Sequence, residues 1–370
     1  MMHLPAMAVA SSLGTGKRAT AEALFAGRRV PIGKIGSLPE AAASRNNRLL
    51  AALLDEIAAE IGQAKARYGA HRIAIVLGTS TSGIAEGEAA IAQRLETGIW
   101  PGAYRYSLQE LGDPAAFAAA HLGLTGPAYV VATACSSSAK AFASARRLIR
   151  QGLADAAIVG GVDTLCGLTL AGFGALEARS ATPCNPFSVN RDGITIGEGG
   201  AVFLMTPEPG GVALAGIGET SDAHHLSAPE PNGAGALAAM QAALDDAGLP
   251  PDAIGYVNLH GTATPLNDAM ESKAVHILFG GGLPCSSTKA MTGHTLGAAG
   301  AVEAAFAWLT LSAGSWNPDR RLPPHLWDGQ PDPALPPLTF ATRDHRLEKP
   351  AILSNSFAFG GSNCALVLTA

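Results

Sequence analysis

The chain has 370 residues, of which 48% are hydrophobic and only 15% charged, and its formal net charge is −5. That is too much apolar material for a disordered chain, and it can fill one large core or two stacked ones. The acidic balance excludes a general nucleic-acid binder, which needs a basic surface to neutralise phosphates.

Cys135, Cys166, Cys184, Cys285 and Cys364 are odd in number and lack C-x-x-C spacing. This argues against a disulfide framework and a structural zinc site, and it fits a reducing cytoplasm. The N-terminus "MMHLPAMAVASSLG" has no basic region ahead of a sustained hydrophobic run, so no signal peptide is expected. Glu303 interrupts the best C-terminal apolar candidate, so no membrane span is expected either.

In chain order, "HRIAIVLGTS" (71–80) reads as a strand ending in a Gly/Ser/Thr turn, and "GPAYVVATA" (126–134) as a second buried strand. The small-residue helix "SSSAKAFASARRLIRQGL" (136–153) follows, then the apolar strand "ADAAIVGGVD" (154–163). Strand, helix, strand at this length is a βαβ unit with a parallel sheet.

The C-terminal half has the same grammar. A helix and strand are expected over 235–264, ending near His260; a loop and small-residue helix over 284–311; and two strands around a Gly turn over 351–370. "TPEPGG" (206–211) is the natural boundary, giving halves of 1–208 and 209–370. The Pro-rich stretch 318–337 reads as a long irregular surface loop.

Cys135, in "ATACSSSAKAF", opens a helix directly after a strand, where unpaired backbone N–H groups and the helix dipole favour a thiolate. Ser136 is placed to cap that helix. The alternative for such a cysteine is plain buried packing. His260, Lys289 and His294 each lie where an apolar element meets a Gly/Thr loop, where active-site groups of α/β proteins collect. One thiol, two imidazoles and one amine form a candidate set for covalent acyl chemistry.

"TACSSSAK", "HGTATPLND", "KAMTGHTLGAAGAVE" and "NSFAFGGSNCALV" resemble the signature segments of the β-ketoacyl-acyl carrier protein synthases, condensing enzymes of fatty acid and polyketide assembly. The resemblance covers nearly the whole chain in the family's order, and includes "SSLGTGKRATAEALFAGR", "NPFSVNRDGITIGEGGAVFLM" and "SDAHHLSAPEPNG". It implies an α/β thiolase-like fold of two similar βαβ-rich halves in αβαβα layers. It also implies decarboxylative condensation of a malonyl unit with an acyl chain held on Cys135.

By the same resemblance, His260 and His294 bind the malonyl thioester carbonyl, and Lys289 with Glu303 holds them in register. The backbone N–H groups of Cys135 and Phe359 form the oxyanion hole; Gly360 and Gly361 let that loop approach, and Phe359 gates the thiol. Thr262 and Thr264 bind the phosphopantetheine arm of an acyl carrier protein. No metal and no separate cofactor is implied. Asp192 and Asp268 read as structural, His225 as a loop support and Cys364 as packing.

Thiolases pair two cysteines with a histidine, and initiating synthases use Cys, His and Asn. The set here points to the elongating branch, most like the synthases of aryl polyene clusters. The implied assembly is a homodimer, or a heterodimer with a chain-length-factor-like homologue; the alternative is that this chain is itself such a non-catalytic partner. "YSLQELGD" (106–113) falls where relatives line the acyl tunnel across the dimer interface, and its Gln109 and Glu110 are unusually polar for that place. "ATPCNPFS" (181–188) departs from the family pattern at an assumed carrier-protein contact.

Overall fold

A computed structural model describes residues 1–312 and 314–370. The first half contributes strands β1 (Met2–Ser11), β2 (Gly14–Thr15), β3 (Ile73–Gly78), β4 (Ala128–Val131), β5 (Ala156–Asp163) and β6 (Gly199–Thr206). The second contributes β7 (Val212–Ser221), β8 (Tyr256–Asn258), β9 (Pro284–Ser286), β10 (Thr339–Phe340), β11 (Ala351–Ala358) and β12 (Ser362–Thr369).

The spatial order β4-β3-β5-β6-β1 in the first half is repeated as β9-β8-β11-β12-β7 in the second. The directions repeat too: β3 is parallel to β4 and β5, as β8 is to β9 and β11, while β6 and β12 run antiparallel to both neighbours. Antiparallel pairing of Met2–Leu4 in β1 with Val212–Leu214 in β7 joins the two sheets. β3 and β5 are buried at every residue, as parallel strands covered on both faces must be.

Helices Ser137–Arg150 and Ala299–Leu311 pack on each other and on strands of both sheets, forming the central layer. Helices Arg45–Glu56 and Asp113–Leu122 cover the outer face of the first sheet, and Ala234–Ala247 covers that of the second. This is the αβαβα architecture that the family resemblance implies. Leu49, Leu50, Leu53 and Leu54 form the apolar stripe of Arg45–Glu56 and are fully buried, each contributing about 2 kcal/mol. Among the described residues, no helix is long and apolar enough to cross a membrane.

Every residue of Ala299–Leu311 is buried, and small side chains make that possible. A Cβ added to Gly300 would lie 2.8 Å from both Cβ and N of Ala139. The two central helices therefore touch almost backbone to backbone, and Cys135 and His294, which lie just before their respective starts, are brought together.

One element went unread in the sequence, and one expectation needs correction. The N-terminal segment is a ten-residue central strand, paired with both β6 and β7. The stretch 318–337 does not run wholly over the surface, because Leu322–His325 is buried. Aromatic side chains in the second half draw it inward, as described below.

Candidate active site

The backbone of Ala134 is left-handed at φ 51°, a strained conformation for a residue with a side chain, and it turns the chain sharply from β4 into the helix that follows Cys135. Ser137 Oγ stabilises the turn by accepting the Thr133 N–H (2.8 Å) and donating to Ala134 O (2.6 Å). Ser136 does not cap the helix as the sequence suggested. Its hydroxyl folds back to donate to Thr133 O at 2.9 Å.

His294 Nε2 lies 3.0 Å from Cys135 Sγ. The His260 ring stands edge-on to that of His294, with centroids 5.3 Å apart, and one nitrogen from each ring and the sulfur all fall within 4.8 Å of one another. Lys289 Nζ sits 3.5 Å from His260 Nδ1, donates to the His260 carbonyl and forms a fully buried ion pair with Glu303. A cation at Nδ1 makes that nitrogen an acceptor and leaves the His260 proton on Nε2.

Burial pushes the Cys135 thiol up to about 11, although Lys289 and the backbone N–H groups of Phe359 and Cys135 itself pull the other way. The expected thiolate at the helix start is therefore overridden by desolvation. Burial, with the Lys289 charge second, holds His260 and His294 well below the usual imidazole range, so both are neutral at pH 7. The Glu303 carboxyl is raised to about 7 by burial, which outweighs the attraction of Lys289.

The β11–β12 turn brings in Phe359, whose ring tilts against Phe173 at 5.7 Å. Gly361 has φ 71°, and an added Cβ there would stand 2.7 Å from Asp222 Cβ; Gly360 has φ 82° with open space beside it. Thr262 and Thr264 link their hydroxyls at 2.9 Å. A cavity of about 250 Å³ is lined by Cys135, His260, His294, Thr262, Thr264 and Phe359, with Leu266 and Leu176 also on its wall. A larger open groove of about 900 Å³, by Pro251, Pro284 and Lys349, lies at the opposite ends of β8, β9 and β11 and contains none of these groups.

Sequence reasoning missed two buried carboxylates. Glu271 accepts the N–H groups of His260 and Gly261, both at 2.7 Å, and Asn355 Nδ2 at 3.1 Å. Asp163 accepts from Thr79 Oγ1 (2.7 Å), from the N–H groups of Ser80 and Thr81 (both 2.8 Å), from Thr81 Oγ1 (2.7 Å) and from Ala298 N–H (3.0 Å). Asp163 ends an otherwise apolar strand, whereas Glu271 lies in a helix of mixed polarity that also carries Asp268 and Lys273 and so does not stand out.

The remaining residues divide between loop support and packing. Asp268 braces the 187 and 263 backbones, and Asp192 lines the cavity wall. His225 Nδ1 accepts two backbone N–H groups of its own loop, and Cys364 is buried in β12. The 106–113 segment does not line the cavity of this chain; its Gln109 carbonyl instead packs where Gly87 has no side chain. Phe187 of "ATPCNPFS" is buried.

Residues 32–209 match the family described as "Beta-ketoacyl synthase, N-terminal domain", and residues 212–322 match its C-terminal domain. The chain belongs to the β-ketoacyl synthase family. It is 44% identical, with a TM-score of 0.94, to the ketosynthase ApeO solved in complex with its chain length factor ApeC from Xenorhabdus doucetiae, covering 100% of this chain and 98% of that one. It is 27% identical, with a TM-score of 0.88, to a β-ketoacyl synthase from Burkholderia phymatum, with the same coverage. Among curated relatives, 3-oxoacyl-[acyl-carrier-protein] synthase 2 of Staphylococcus aureus is 37% identical over 263 residues. That alignment spans 66% of this chain and 64% of the relative, less than two thirds of its length.

Proposed function

We propose that this chain is an elongating 3-oxoacyl-acyl carrier protein synthase, an acyltransferase that condenses a malonyl unit with an acyl group held on Cys135. The observation that carries the reading is the convergence of one sulfur and two neutral imidazoles within 4.8 Å at the floor of a narrow cavity. Membership of the β-ketoacyl synthase family supports it.

In the first half-reaction, Cys135 Sγ attacks the carbonyl of an acyl thioester. His294 Nε2 is the nearest base for the thiol proton, which leaves with the departing carrier thiol. The N–H groups of Cys135 and Phe359, which already approach the sulfur, receive the oxyanion. In the second, the malonyl thioester carbonyl faces His260 and His294. Loss of carbon dioxide leaves an enolate whose oxygen is stabilised by the His260 Nε2–H, and by His294 in the tautomer that carries its proton on Nε2; neutrality matters because a neutral imidazole donates without a buried charge. The enolate carbon attacks the acyl carbonyl, the new C–C bond forms as the C–S bond breaks, and the sulfur takes up a proton. Lys289 and Glu303 hold His260 in place.

Both substrates arrive as thioesters, so the chemistry calls for no metal and no cofactor beyond the phosphopantetheine of an acyl carrier protein; Thr262 and Thr264 on the cavity wall are its binders by the family resemblance. Ile91, Leu95, Ile99, Trp100 and Tyr106 are exposed apolar residues along one stretch of the first half, Leu168 is exposed on a helix packed against it, and among the described residues β4 ends its sheet with one edge unpaired. That surface suits a second synthase-like subunit, either a copy of this chain or a chain-length-factor-like homologue. Likeness to ApeO, solved with its chain length factor, supports the heterodimer, and an aryl polyene as the growing chain is what the sequence resemblance favours. Five buried free thiols are consistent with a cytoplasmic setting.

Intact-mass measurement tests the proposal. The wild-type protein with its second subunit should gain one acyl group from acyl-carrier protein, and Cys135→Ala should gain none and should not elongate. Elongation by Cys135→Ala at the wild-type rate would overturn it. A wild-type chain that never accepts an acyl group would instead mark it as a non-catalytic chain-length partner.

A further inference from the structure

His325 lies in the Pro-rich stretch and is buried, with its ring stacked on Phe340 at 4.2 Å and flanked by Trp327 at 5.6 Å and Phe187 at 6.1 Å. Its two nitrogens are used at opposite ends. Nδ1 accepts the Ser287 backbone N–H, and Nε2 donates to Pro186 O, both at 3.1 Å. Ser286 Oγ donates to Pro323 O at 2.8 Å, a second tie between the same two segments.

Ser287 passes this anchoring on. Its Oγ donates to Gly261 O at 2.7 Å and accepts the Lys289 N–H at 3.3 Å. Gly261 directly follows His260, so one side chain bonds to the backbone beside each member of the Lys289 and His260 pair. His325 itself does not line the cavity and cannot touch substrate.

We propose that His325 is a positioning residue which, through Ser287, sets the separation of Lys289 from His260 and so governs the malonyl step rather than acyl loading. This rests on the functional reading above. The position requires an acceptor and a donor at the two edges of a flat group with one face stacked on Phe340 and with Trp327 and Phe187 packed at its sides. Neutral imidazole meets that description, and burial keeps it neutral by lowering its pKa to about 4. The groups that touch the thiol during loading are held elsewhere: Cys135 follows β4, Phe359 lies in the β11–β12 turn, and His294 is tied by its own backbone to Thr195 O (2.7 Å) and the Gly197 N–H (3.0 Å); Lys289 reaches the thiol only through its charge, which a small displacement keeps in place.

The test measures two half-reactions separately, on the full chain with its second subunit: acyl loading of Cys135 by intact mass, and carbon dioxide release from malonyl-carrier protein. His325→Leu should slow carbon dioxide release by about tenfold or more, as displaced catalytic groups do, while loading stays within about twofold of wild type. His325→Asn, whose Oδ1 can accept the Ser287 N–H, should recover most of the loss. If His325→Leu fails to fold, Ser287→Ala should show the same split. Parallel loss of both half-reactions, or unchanged carbon dioxide release in a folded variant, overturns the proposal. A wild-type chain inactive in both half-reactions sinks the functional reading and this inference with it, whereas an active wild type with unsplit variants sinks this inference alone.

Discussion

His294 Nε2 stands 3.0 Å from Cys135 Sγ across 159 residues of chain. The contact exists because helices Ser137–Arg150 and Ala299–Leu311 press together at Ala139 and Gly300, so the segments entering them meet. The nucleophile is consequently a desolvated thiol with a base beside it.

Alkylation should report that state. With the thiol held up to about 11 by burial, the thiolate fraction grows with pH throughout the neutral and moderately alkaline range. The rate of Cys135 modification by iodoacetamide, followed by peptide mass, should climb from about pH 7 to about pH 10 without levelling, as expected for a pKa above the ordinary thiol value. A plateau below pH 8 would show a preformed thiolate and contradict the desolvation argument.

The Lys289–Glu303 pair predicts a non-additive mutant cycle. Lys289→Met leaves the Glu303 carboxylate buried without its partner, at a cost of about 3 kcal/mol or more, whereas Lys289→Met with Glu303→Leu should cost less than the single change. The single variant's deficit should also shrink as pH is lowered. Glu303 is already raised to about 7 and rises further without Lys289, so as pH falls the variant's folded state takes up its proton before the wild type's does, while the unfolded carboxyl, near 4.5, does not. Urea unfolding at about pH 8 and about pH 5.5 checks both statements.

Two adjacent glycines should respond differently to alanine. Both have positive φ, which costs a side-chain-bearing residue about 1 kcal/mol, but only at Gly361 does the new Cβ strike Asp222, at 2.7 Å. Gly361→Ala should displace the Phe359 N–H and slow acyl loading by tenfold or more, on the order of the loss of one oxyanion donor. Gly360→Ala should load within about threefold of wild type, the effect expected of the backbone cost alone. Single-turnover loading of Cys135 distinguishes them, and equal effects would reject the role given to the close approach at Gly361.

The exposed apolar stretch predicts its own partner. Leu95 and Ile99 are 82% and 69% exposed, which is unusual for large aliphatic residues near one another. Leu95→Lys with Ile99→Glu should leave the folded chain's circular dichroism unchanged and reduce its association with a second subunit. Light scattering after size-exclusion chromatography reads the change, and an unaltered assembly mass would place the interface elsewhere.

Much of the architecture was legible because buried parallel strands are written as unbroken apolar runs, as in "IAIVLG" and "AAIVGGVD". The N-terminal strand was not, since "MHLPAMAVAS" contains a proline and a histidine and carries no periodic signature; its central place comes from pairing with β6 and β7. Glu271 and Asp163 were unreadable as site supports for a related reason. Their work is to satisfy backbone N–H groups of loops, and sequence does not say which loop will lie within reach.

The order of residues alone determined that Cys135, His260, Lys289 and His294 sit where apolar elements end in small-residue loops, because local periodicity and turn chemistry are short-range properties. Packing decided the rest. Which imidazole touches the sulfur, that the sulfur is a thiol, and that a proline-rich strand of chain turns inward at His325 all depend on long-range contact and on the exclusion of water, and neither is encoded at any one position.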